Sequence, residues 1–288
     1  MVKEQSNKTY LEVKDFSVSG ELFQLKENLE YGFLETTPQP NPDILSNYYQ
    51  SEDYISHTDS KRNLFEKAYH VIRRIALKSK LNLINSLTPS SKYLLDIGCG
   101  TGDFLKVAKA NNWNVSGLEP NDLARSIANK KTNGVVLNID EISKLDKERF
   151  DVITLWHVLE HLPNLEDQIV TFKKLLKPNG TLIIAVPNYK SFDANFYKSY
   201  WAAYDVPRHL WHFNKESISK LFYKVDLKVV TIKPMYFDAF YVSLLSEKYK
   251  SGKMNFLKGF YVGLLSNIKS LRSKEYSSLI YVLKSIEN

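Results

Sequence analysis

One heptapeptide constrains this chain more than any other feature: Asp96-Ile97-Gly98-Cys99-Gly100-Thr101-Gly102. It follows the short apolar run Tyr93–Ile97 and precedes Phe104–Ala110, whose pattern predicts a helix. Glycines between a strand and a helix permit unusual φ values and a close approach of ligand to backbone. Such a loop belongs at the carboxyl end of a parallel sheet, where ligands bind. The rhythm downstream agrees. Strands are predicted at Trp113–Leu118, Val135–Leu137, Phe150–Leu155, Thr181–Val186, Leu227–Ile232 and Ser278–Leu283. Helices are predicted at Leu123–Lys130, Leu165–Leu176 and Glu216–Phe222. Continuously apolar strands flanked by helices imply a parallel sheet covered on both faces. The expected fold class is α/β, a doubly wound and mostly parallel seven-stranded sheet.

The 288 residues suit one large domain with additions. Residues 1–60 read as a small β or irregular extension, with short apolar pieces broken by Gly20 and Gly32. Pro38, Pro40 and Pro42 mark a linker or extended turn, and Tyr48, Tyr49 and Tyr54 follow it. Residues 61–238 form the core, led by an amphipathic helix over Arg62–Leu87. Residues 239–288 hold a helical insertion and the last strand. The single cysteine, Cys99, excludes an internal disulfide and a cysteine-based zinc site, and points to a reducing, cytoplasmic setting. The longest stretch free of Asp, Glu, Lys and Arg is 12 residues, Pro178–Tyr189, short of the ~20 that span a bilayer.

The ligand of the glycine loop follows from its charge. A dinucleotide loop requires G-x-G-x-x-G, but Gly98, Gly100 and Gly102 give G-x-G-x-G. Asp96 would repel a pyrophosphate. It suits a ligand with a cationic amino acid end, such as S-adenosylmethionine (SAM), whose carboxylate can face the following helix. Glu119 ends the next strand and can accept hydrogen bonds from a ribose diol. That feature alone fits NAD equally well, so the pair of acids discriminates.

Residues 92–190 resemble class I SAM-dependent methyltransferases, through LLDIGCGTGDF, GLEP, FDVITLWHVLEHL and LLKPNGTLIIAVPN in order. KDFSVSGE, YISH, WAAYDVPRHLWHF and DAFYVSLLSEKY resemble a narrower bacterial branch of that superfamily. The resemblance implies a Rossmann-like core, SAM as cofactor and methyl transfer to an O, N or C nucleophile of a small or lipid-like acceptor. It implies cofactor contacts from Asp96, Gly98, Gly100, Glu119, Pro120, Ile139, Asp140 and His157, with Asn138 an alternative to Asp140. The branch often carries N-terminal cysteine pairs. Here Asn28 and Tyr31 stand at one such pair, so no zinc is expected, and a small β element held by apolar contacts is.

Methyl transfer needs an aligned nucleophile and, for a hydroxyl or acidic carbon, a base. His157 and His209 are the candidate catalytic residues; His161 and His212 lie nearby in sequence. His157 and His161 are four residues apart and could share a helical face. Without H-E-x-x-H no metal is implied. Tyr204, Arg208 and His212 are candidate substrate contacts, Arg208 being equally a partner of Asp205 in a loop clamp.

The last 50 residues hold eight basic and three acidic side chains, more than half of the chain's net +7. With no nucleic-acid-binding motif beside it, this surplus permits peripheral membrane contact or an ordinary solvated surface. The apolar insertion could cap an acceptor pocket, rest on a membrane or form a homodimer. Two other readings stay open: a SAM-binding scaffold without catalysis, and a nicotinamide oxidoreductase.

Overall fold

Leu94, Leu95 and Ile97 of one strand point to different sides of a sheet, and both sides are filled. In the computed structural model, which describes residues 8–41, 48, 64–87 and 91–286, Leu95 and Ile97 join one apolar cluster and Leu94 another. The same alternation separates Leu182 and Ile184 from Ile183 and Ala185. Burial on both faces is what the continuous apolar runs require. Each such side chain contributes roughly 1.5–3 kcal/mol.

The main sheet contains β4 (Tyr93–Ile97), β5 (Asn114–Leu118), β6 (Val136–Leu137), β7 (Phe150–Trp156), β8 (Leu176–Pro187), β10 (Leu227–Pro234) and β11 (Ser278–Ser285). Their spatial order is β10-β11-β8-β7-β4-β5-β6. β4 pairs in parallel with β5 and β7, and β11 runs antiparallel to both β8 and β10. The order reverses beside β4, so the glycine loop sits at the switch point where a crevice opens. On one face lie α1 (Leu64–Asn85) and α2 (Asp103–Lys109), which help bury Trp113. On the other lie α4 (Leu165–Leu175) and α6 (Lys215–Tyr223). α3 (Asp122–Thr132) follows β5. β8 starts at Leu176, earlier than the apolar run Thr181–Val186, because Phe150 pairs with Leu176 before the register shifts.

A second sheet, β1 (Thr9–Lys14), β2 (Leu22–Glu27), β3 (Leu34–Thr37) and β9 (Trp211–His212), is antiparallel. Its fourth strand comes from residues 211–212, so the extension is completed by the core segment rather than standing apart. Asn28 Oδ1 accepts the Glu30 and Tyr31 amides in the β2–β3 turn, and the rings of Tyr31 and Phe33 stack at 5.4 Å. α5 (Phe192–Tyr197) and the helical hairpin α7 (Asp238–Ser251) and α8 (Phe256–Ser273) pack together beyond β8, before β11. Pro42, Tyr49, Tyr54 and the YISH segment lie outside the described residues.

Candidate functional site

The site is built where β4, β5 and β7 end. Asp96, 2% exposed, accepts a 2.6 Å hydrogen bond from Thr154 Oγ1 of β7. Gly98 has φ +66°, and a Cβ there would stand 2.4 Å from Val158 Cγ2, so only glycine fits. Gly100 has φ +55° and a Cβ on it would meet nothing within 4 Å. The backbone there borders open space. Its amide donates to Glu119 Oε2 at 2.8 Å, while Asn121 N donates to Oε1 at 3.0 Å. Glu119 therefore holds the glycine loop and the start of α3 together. Each carboxylate oxygen retains a second lone pair for a hydroxyl.

Burial dominates the electrostatics. It pushes Asp96 up to about 7, against the Thr154 hydrogen bond and the Lys80 cation, with the Glu119 charge adding to the rise. Burial likewise raises Glu119, although the Asn121 and Gly100 amides oppose it. Lys80 reaches the site from α1: its Nζ lies 4.4 Å from the Trp156 ring centre. Burial lowers its pKa, while Asp96 and Asp238 oppose the drop.

His157 follows β7 with φ +58°. That left-handed residue ends the strand, and only Leu159–His161 forms a single 3₁₀ turn. The expected shared helical face of His157 and His161 is thus absent. His157 Nε2 lies 3.1 Å from Asp238 of α7, and Nδ1 lies 3.4 Å from Glu160. Burial pulls this imidazole down, but Asp238 and Glu160 outweigh it and hold it up at about 10. At neutral pH the ring is a cation.

The other predicted residues are distributed differently. Pro120 is exposed and its carbonyl accepts from Arg125. Ile139 is half-buried and Asp140 exposed, at the start of a 3₁₀ turn, Ile139–Lys144. The Asn138 side chain caps that turn by accepting the Asp140 amide. Tyr204, Arg208, His209 and His212 are all buried along the seam with the small sheet. Arg208 donates to Asp205 at 2.6 and 3.0 Å, to the Tyr48 carbonyl at 2.8 Å and to Asp15 at 3.4 Å. Of the two roles the sequence left open for it, these contacts are those of the clamp. His212 Nε2 meets Thr36 Oγ1 at 3.0 Å, and the Tyr204 ring packs edge-on against His212 at 5.4 Å. His209 Nδ1 meets the Ala203 carbonyl at 2.9 Å and His161 Nδ1 the Arg208 carbonyl at 3.1 Å. Glu160, His161 and His209 bring one ligand atom each to within 4.8 Å of one another, a grouping able to hold a metal ion.

Sequence reading missed Lys80, Asp238 and Glu160. Lys80 resembled any lysine on an amphipathic helix, and Asp238 lies far from His157 in sequence. Glu160 carried a signal: an acid between two histidines in an otherwise apolar segment.

The open space beside Gly100, the carboxylate floor of Asp96 and the doubly anchored Glu119 fit a ligand with an amino acid end and a ribose. They do not offer the cationic cradle a pyrophosphate requires.

The profile of a family described as "Methyltransferase domain" matches residues 62–232. Curated relatives include the ubiquinone biosynthesis O-methyltransferase of Coxiella burnetii, 30% identical over 144 residues, 48% of this chain and 60% of that protein. The Rickettsia conorii protein of the same name is 33% identical over 100 residues, 33% of this chain and 35% of that one. The chain thus matches at most about 60% of the length of these two relatives. Among solved structures, geranyl diphosphate C-methyltransferase from Streptomyces coelicolor aligns with TM-score 0.55 at 13% identity, over 86% of this chain and all of that one. Magnesium protoporphyrin IX methyltransferase from Synechocystis aligns with TM-score 0.56 at 15% identity, over 85% of this chain and all of that one. With more than half of its length matched by the family profile, this chain belongs to the methyltransferase-domain family, and its sheet is that of the class I SAM-dependent methyltransferases.

Proposed function

We propose that the protein transfers a methyl group from SAM to a nucleophilic oxygen of a small or lipid-like acceptor. The observation that carries the cofactor half is the pairing of Asp96 with the amide-anchored Glu119 around the open loop at Gly100. The oxygen acceptor is drawn from the relatives' activity alone. When bound, SAM supplies a methyl group activated by a sulfonium leaving group.

The chain's own residues then bind and orient. Asp96 receives the ammonium, Glu119 the ribose hydroxyls, and Gly98 and Gly100 let the backbone lie against the ligand. Pro120 and Ile139 border the nucleoside, with Asp140 or a neighbouring backbone group at the adenine. His157 acts as a cation rather than as a resting base. Held between Asp238 and Glu160, with both ring nitrogens engaged, it lends its positive charge to the acceptor oxygen as that oxygen takes the methyl group, the hydroxyl proton passing to water. His209 stands behind Glu160 and fixes that charge. Tyr204, Arg208 and His212 shape the wall from the seam.

The test is incubation of the purified protein and SAM carrying a labelled methyl group with cell extract and with simple phenols, followed by mass spectrometry. A labelled methyl ether is the expected product. SAM binding without label transfer to any acceptor would leave the scaffold reading instead.

A further inference from the structure

Helix α8 is built with its sides exchanged. Its buried face is small: Gly259, Val262, Gly263, Ser266 and Ser270. A Cβ on Gly259 would come within 2.8 Å of the Leu244 side chain, and one on Gly263 within 2.8 Å of Phe240 Cα. The two hairpin helices therefore touch nearly backbone to backbone. The large apolar residues face outward instead: Leu257 is 88% exposed, Phe260 59%, Tyr261 60%, Leu264 41%, Ile268 51% and Leu271 60%. Their steps of three, one, three, four and three residues keep them in one stripe about 100° wide. It runs for roughly 20 Å. A water-facing helix presents the opposite pattern, and a continuous apolar stripe marks a surface that meets something.

The charge around the stripe says what. From Lys248 to Lys274 there are seven basic residues and no acidic one. The whole chain has 39 basic and 32 acidic residues, so the remainder balances at 32 to 32. The chain's net charge of +7 equals that of this one stretch, Lys248–Lys274. Lys269 and Arg272 lie on α8 itself and Lys253 in the turn before it, while Lys258 pairs with Glu247 of α7 at 3.0 Å. No described helix is long and apolar enough to cross a membrane. A basic helix with a long apolar face that cannot span a bilayer suits the plane of its surface.

We propose that α8 docks the protein on an anionic lipid bilayer. Leu257, Phe260, Leu264, Ile268 and Leu271 enter the acyl boundary, and the flanking lysines and Arg272 meet lipid phosphates. The docked hairpin is continuous with the cleft, because Asp238, the first residue of α7, lies 3.1 Å from His157. Delivery of a bilayer-dissolved acceptor to that cleft rests on the methyl-transfer reading above. The docking itself does not, and is measured without SAM.

The test uses the full chain and sedimentation with large vesicles of phosphatidylcholine alone or mixed equally with phosphatidylglycerol. Binding to the mixed vesicles is expected to exceed binding to phosphatidylcholine by about tenfold or more and to fall steeply with salt. Leu257→Ser combined with Phe260→Ser and Ile268→Ser should reduce it about tenfold or more, since each residue removes several buried CH₂ groups. Lys253→Glu with Arg272→Glu should do the same. All these side chains are exposed, so an unchanged melting temperature verifies the fold of each variant. Equal binding to both vesicles, no binding to either, or a stripe variant that binds as well as the parent overturns the proposal. So does a stable dimer in analytical ultracentrifugation that the serine variant dissociates, for then a second copy covers the stripe.

Discussion

Two regions of this molecule gather acidic side chains out of water, and they use them in opposite ways. At the cleft, Asp96 has one hydroxyl donor from Thr154, and Glu119 has two amides, beside the open space at Gly100. At the seam, Asp15 and Asp205 close on Arg208, whose donors also take the Tyr48 carbonyl. Asp15 further accepts three backbone amides, from Ser17, Val18 and Ser19. A buried charge with matched partners holds a structure together, whereas one left with spare capacity beside a void is available to a ligand.

The sharpest way to break this contrast is Arg208→Ala. It leaves Asp15 and Asp205 facing a cavity without their cation, and should destabilise the fold by roughly 3–5 kcal/mol. Chemical denaturation reads that loss. A fully stable variant that fails only to turn over an acceptor would move Arg208 from the seam to the substrate. At the cleft, Asp96→Ala should instead weaken SAM binding by roughly 1–3 kcal/mol with little change in melting temperature. Titration calorimetry and thermal unfolding of the same sample separate the two effects.

The contrast also explains how far the sequence could be read. The glycine loop was legible because its geometry is local: strand, Gly98, Gly100 and helix are consecutive, and Glu119 directly follows the very next strand. The antiparallel last strand, β11, was recognisable as a strand, but not its partners on both sides, which are set by register. At the seam the same residue types carried no such order. Whether Arg208 faces a substrate or Asp15 depends on the turn after β1, some 190 residues earlier, a distance no periodicity encodes. The Asp238 contact to His157 and the Lys80 contact to Trp156 are equally products of tertiary folding. The exchanged faces of α8 were hidden too, because periodicity reveals a stripe but not the side that is buried.

Two weaker effects sharpen the comparison by pH. At the seam, burial and the neighbouring His209 bring His161 down to about 4, and burial first, then His209, hold His212 well below its ordinary value. Both are neutral in the fold but protonate near 6.5 in the unfolded chain. The unfolded state then binds more protons, so stability falls as pH drops from 6.5 toward 4. His161 alone should cost about 1–2 kcal/mol by pH 5. Melting temperatures from pH 7 to 5 measure this, and a flat profile would mean that these rings take up protons in the fold as readily as in the unfolded chain. At the cleft the sign concerns binding. Asp96, raised to about 7, must lose its proton to receive an ammonium. SAM affinity should therefore rise about tenfold from pH 6 to pH 8, and Asp96→Asn should abolish that slope.

The central claim is that the cleft beside Gly100 accepts a sulfonium nucleoside in preference to a phosphate-bearing one. Calorimetric titration of the purified chain with SAM and, separately, with NADH tests it directly. Saturable binding of SAM and none of NADH is the predicted result; saturable binding of NADH with none of SAM would contradict the account.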